Sequence, residues 1–144
     1  MSEAHTQLNE LIEITRDGQR FYEHAAEEVK DPRFKTLFLE MAKAKTDVIR
    51  ALSVEVASEN ETPSDGGTMV GRMRQLYADT KAKMSSDESV TYIEQLEEAE
   101  DRILHAFEDA LQSADPKVQA LAAEELPQVR AAHDRMRNLK RDTH

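Results

Sequence analysis

Two Asp-Pro pairs, Asp31-Pro32 and Asp115-Pro116, constrain this chain more than any other feature. An aspartate carboxylate accepts from the free amides of a helix's first turn, and proline suits the first helical position because the amide it lacks had no partner there. Long helical stripes flank each pair. Leu8, Leu11, Ile12, Tyr22, Ala25, Ala26 and Val29 precede the first, and Phe34, Leu37, Phe38, Met41, Val48, Leu52 and Val56 follow it. Ile93, Leu96, Ile103, Leu104, Phe107 and Leu111 precede the second, and Val118, Leu121, Ala122, Leu126, Val129, Met136 and Leu139 follow it. Connections this short force the joined helices to lie antiparallel.

Between the two hairpins, 61–67 is a loop by composition. Thr68 then caps a shorter stripe of Met69, Met73, Leu76, Tyr77, Thr80 and Met84. Its length suits a crossover along a bundle, with the methionines packed onto it or lining a partner groove. The expected helices are about 6–30, 32–59, 68–84, 88–113 and 116–141, in one all-α domain over 1–144. At an offset of 85, Tyr22 matches Phe107, Glu23 matches Glu108, Ala25 matches Ala110, Glu40 matches Glu125 and Met41 matches Leu126, as two related hairpins would. Pro127, interior to the last helix, predicts a kink.

Charge narrows the partners. Asp and Glu number 29 against 19 Lys and Arg, a formal charge of -10, which repels phosphate backbones and anionic lipid. Neither nucleic acid nor membrane is expected as a partner. The absence of cysteine removes thiolate chemistry, and with no signal-like start or apolar span the expected location is cytoplasmic.

Polar residues interrupt the stripes at one level. Thr15 lies about 15 residues before the first Asp-Pro turn and Lys45 about 14 after it, while Glu100 and Arg130 each lie about 15 from the second. His133 follows Arg130 by three residues. The expected buried polar layer is therefore Thr15, Lys45, Glu100, Arg130 and His133. Plainer readings stand beside it. Lys45 and Arg130 can reach solvent from a stripe edge, His133 can be a satisfied boundary histidine, and Glu100 belongs to an acidic run with Glu94, Glu97 and Glu98.

Taken with Asp17-Gly18, Phe21-Tyr22, Ala25-Ala26, Glu100 with Phe107, and Val129 through Arg137, this pattern resembles the ferritin-like superfamily. More narrowly it resembles a bacterial family of small four-helix-bundle proteins of unknown function. The resemblance covers nearly the whole chain and implies an antiparallel ferritin-like four-helix bundle with an extra helix in the crossover. In metal-binding relatives one Glu comes from each of two helices and a Glu-x-x-His pair from each of the others. Carried over, those ligands fall on Thr15, on Lys45 and Val48, on Glu100, and on Arg130 and His133. Only Glu100 and His133 keep ligand chemistry, so the resemblance implies a degenerate dimetal site.

The expected function is a non-catalytic interaction or stress-associated module, self-associating or bound to a protein partner, with no cofactor. In this reading Lys45 and Arg130 neutralise Glu100 in place of metals, with His133 hydrogen-bonded beside them. The alternative is a divalent metal (iron, zinc or manganese) on Glu100 and His133, joined by Glu97. His24 with Glu23 and Glu27 is a weaker surface cluster. No phosphate loop or nucleophile elbow is present.

Overall fold

Both Asp-Pro pairs open helices in the structure, a computed structural model that describes residues 3–143. The Asp31 carboxylate accepts from Arg33 N at 2.9 Å, and the Asp115 carboxylate from Lys117 N at 2.9 Å and Val118 N at 3.4 Å. They start α2 (Pro32–Ser58) and α5 (Pro116–Asp142). Before them run α1 (Glu3–Glu28) and α4 (Glu88–Ala110), and α3 (Met69–Lys83) lies between the pairs. Thr68 and Asp87 cap α3 and α4 through Gly71 N at 3.0 Å and Val90 N at 3.3 Å.

Among the described residues there are five helices and no strand, and the helices pack as a bundle. α1 lies on α2 and α4, α4 on α5, α2 on α5, and α3 on α4 and α1. Among the described residues, no helix is long and apolar enough to cross a membrane. Two helix ends differ from expectation by three residues. α1 is already helical at Glu3, the first described residue, and buries Ala4 and Leu8 on its apolar face. α4 stops at Ala110, where Leu111, Gln112 and Ser113 bond back to Glu108, Asp109 and Ala110 as a tightening turn. α5 runs unbroken past Pro127, which is exposed.

The core falls into two apolar clusters. One holds Phe21, Tyr22, Phe38, Met41, Ile93, Leu96 and Met136. The other holds Leu8, Ile12, Val48, Leu52, Ile103, Phe107, Val118 and Val129. Along α1 the break between them falls at Thr15, along α2 at Lys45, and along α4 at Glu100, each buried to within 1% of complete. A polar level therefore divides the core.

α3 turns the opposite face inward from the one its large side chains suggest. It buries Ala78 and Ala82 and leaves Met69, Val70, Met73, Leu76 and Tyr77 more than half exposed. Packing of those methionines onto the bundle is thus corrected. Small residues let α3 approach closely enough for Asp79 to accept from Tyr92 Oη at 2.6 Å and to pair with His24 Nε2 at 2.7 Å.

Candidate functional site

Glu100 is the centre of the dividing level. Its Oε1 accepts from Lys45 Nζ at 2.6 Å and its Oε2 from Tyr22 Oη at 2.5 Å. The lysine side chain is 2% exposed and the carboxylate 0%. Three helices position the three groups: Tyr22 from α1, Lys45 from α2, Glu100 from α4. Both carboxylate oxygens are thereby satisfied, as burial of a charge requires. Thr15 donates to Leu11 O at 2.7 Å within its own helix and does not join them. Gly18 leaves the room this level needs, since a Cβ there would crowd the tip of Ile103 and touch the Lys45 stem.

Burial pushes the Tyr22 hydroxyl well above its usual range, and the Glu100 charge and hydrogen bond push the same way. The folded value lies above the unfolded one, so the stability tied to the protonated, buried hydroxyl is fully present below about pH 10 and declines as pH rises from there through the folded value. Tyr22→Phe is expected to be less stable than wild type at neutral pH, with the gap closing above about pH 10 in urea titrations. A gap constant to high pH would contradict this.

Arg130 does not enter the layer, which corrects the expectation. Its side chain is 50% exposed and Nη2 meets Glu108 Oε2 at 3.4 Å. The reason is angular: on α5 Val129, Ala132 and Met136 hold the inward positions, and one residue on from Val129 turns about 100° away. Among the described residues, the cation paired with Glu100 is Lys45, with Tyr22 supplying the second bond.

His133 is buried, but its partners lie on the α4–α5 seam. Nε2 sits 2.5 Å from Asp101 Oδ1 and Nδ1 3.0 Å from Asp134 Oδ1. Burial opposes the imidazolium, but hydrogen bonds to Asp134 and Asp101 and their charges outweigh it and raise its affinity for the proton. Glu97, one turn before Asp101, is 7% exposed overall and takes Lys140 Nζ at 3.2 Å. The structure therefore brings His133 together with Glu97 and Asp101, while Glu100 is held by Lys45 and Tyr22.

A two-metal group does not fit the positions that the resemblance implies. Lys45 brings an ammonium to Glu100, Thr15 bonds to its own helix, Val48 has no donor and Arg130 faces outward. Four of the six positions offer a cation, an alkyl group or an occupied hydroxyl, none of which binds a divalent metal.

One hub has no counterpart in the sequence reading. Asp17 accepts from Thr68 N at 2.7 Å, from Thr68 Oγ1 at 2.5 Å and from Arg102 Nη1 at 2.8 Å. Arg102 Nη2 also donates to Thr68 Oγ1 at 3.0 Å. The hub ties α1, α4 and the cap of α3 together. Nearby, Arg16 Nη1 reaches Ser64 O at 2.6 Å and Gly66 O at 3.1 Å, so the 61–67 loop is fastened along α1. His24, singled out with Glu23 and Glu27, instead pairs with Asp79 of α3.

Fold and core together define an all-α helical-bundle protein whose centre is closed by a buried ion pair. The chain belongs to the family described as Domain of unknown function (DUF2383), which matches residues 3–113. That match spans Tyr22, Lys45, Glu100 and the Asp17 hub and stops before α5. No curated protein and no solved structure matches the chain significantly.

Proposed function

We propose that this chain is a non-catalytic, single-domain ferritin-like bundle that self-associates through the exposed face of α3. The antiparallel arrangement is supported by the order of contacts. Gln19 meets Thr46 and Lys35 meets Ala26, so α1 and α2 run oppositely. Gln7 pairs with Ser113, Asp17 with Arg102 and Phe21 with Tyr92, so α1 and α4 do too. Thr68 meets Asp17 and Asp79 meets His24, so α3 travels along α1 as a crossover should. The Lys45–Glu100–Tyr22 cluster supports a dimetal site replaced by fixed protein groups.

The observation that carries the interaction reading is the surface of α3. Of the eight large hydrophobics exposed among the described residues, Met69, Val70, Met73, Leu76, Tyr77 and the capping Met84 belong to it. Contiguous apolar surface of this kind marks association sites, and flexible methionines adapt to a partner. The partner is a second copy because the patch carries both signs of charge. Arg72 and Lys83 edge one flank of it on α3, and Glu98 of α4, half exposed, borders the other flank beside Arg74. A two-fold axis through the stripe brings the basic edge of one copy to the acidic edge of the other.

Sedimentation velocity across a concentration series tests this. Wild type is expected to dimerise at micromolar concentration, and Met73→Glu/Leu76→Glu to remain monomeric with unchanged helical circular dichroism. A wild type that stays monomeric at every concentration would overturn the reading.

A further inference from the structure

The α4–α5 seam holds a second cluster independent of the association surface. We propose that Glu97, Asp101 and His133 form a mononuclear site for a first-row divalent cation. Their ligand atoms lie within 4.8 Å of one another. Glu97 and Asp101 stand four residues apart on α4, which places both carboxylates on one face of the helix. His133 reaches them from α5 with only 8% of its side chain exposed.

The imidazole is already oriented for the task. When Nδ1 donates to Asp134 Oδ1 at 3.0 Å, Nε2 is left as the donor atom facing Asp101 and Glu97. A carboxylate behind a histidine fixes its tautomer and raises its basicity in just this way. Asp134 is thus a positioning residue. Charge points in the same direction: the carboxylates of Glu97, Asp101 and Asp134 gather about one lysine and one histidine. Glu97 and His133 are both more than nine-tenths buried, so water screens this excess poorly. A divalent cation neutralises it.

The donor set selects the ion. One imidazole nitrogen with two carboxylates suits zinc, cobalt, manganese or ferrous iron rather than calcium or cuprous copper. Entry requires two small changes. Nε2 and Asp101 Oδ1, 2.5 Å apart, must open, with any proton between them leaving to solvent. Lys140, its side chain 35% exposed, must release Glu97. Asp101 is 44% exposed, which leaves water to complete the coordination shell.

Cobaltous chloride and zinc chloride, each titrated alone into the full chain, test the site by visible absorption and calorimetry. Wild type is expected to take up one ion per chain, with cobalt bands typical of low coordination number. Asp101→Asn and Glu97→Gln should each weaken binding by more than about tenfold while keeping wild-type helicity. Lys140→Gln, which removes the competing ammonium, should tighten it several-fold, a gain that structural damage would not produce. No stoichiometric uptake by wild type, or binding unchanged in both carboxylate variants, would overturn the proposal.

Discussion

Glu100→Ala is expected to lower the unfolding free energy by about 3–5 kcal/mol, a drop in Tm on the order of 10 °C for a domain of this size. The loss does not measure the strength of the pair. A buried lysine and glutamate regain in mutual attraction roughly what they forfeit in hydration, so the intact pair adds little net stability. Removing one partner leaves Lys45, 1% exposed, charged in an apolar core, and leaves the Tyr22 hydroxyl without its acceptor. Lys45→Met/Glu100→Gln separates these contributions. It deletes both charges while the amide oxygen still accepts from Tyr22, so its Tm is expected well above that of Glu100→Ala. Thermal unfolding of the two variants decides the matter, and a wild-type Tm for Glu100→Ala would contradict the buried pair.

Asp17→Ala should cost about 2–4 kcal/mol, through a different route. Its carboxylate, 9% exposed, takes three hydrogen bonds from Thr68 and Arg102. Those bonds fix the start of α3, so the damage should concentrate there. A methyl placed on Gly71 would overlap the Asp17 carboxylate, so Gly71→Ala should reproduce part of the effect. Amide exchange is expected to accelerate in 61–84 of both variants before it changes in α2 or α5. Uniform acceleration along the chain would show that the hub supports the whole bundle rather than the crossover.

The legible parts of the fold were local ones. An Asp-Pro pair carries its capping mechanism in two adjacent residues, and a polar residue on an apolar stripe announces itself from one helix alone. Thr15, Lys45 and Glu100 were found that way, and all three are buried. The sequence places Arg130 inward because Val129, Arg130, Ala132 and His133 crowd one part of α5, where an error of one residue, about 100°, exchanges inside for outside. Tyr22 read as an ordinary core aromatic, since nothing local shows where its hydroxyl points.

The rest depends on pairs distant in sequence. Asp17 and Arg102 stand 85 residues apart, and His133 and Asp101 stand 32 apart. α3 was inverted for a physical reason. Its large apolar side chains suggested the inward face, but close approach to α1 and α4 requires Gly71, Ala78 and Ala82 there. That preference for small residues at a tight contact leaves the apolar stripe outside, and the proposed function rests on it.

Hydrogen–deuterium exchange of the wild type at low and high protein concentration tests the self-association account most directly. The account predicts that amides of residues 69–84 gain protection as concentration rises, together with the Glu98 region of α4, while α2 and α5 stay unchanged. Exchange in 69–84 that is independent of concentration, or protection gained on another face, would contradict it.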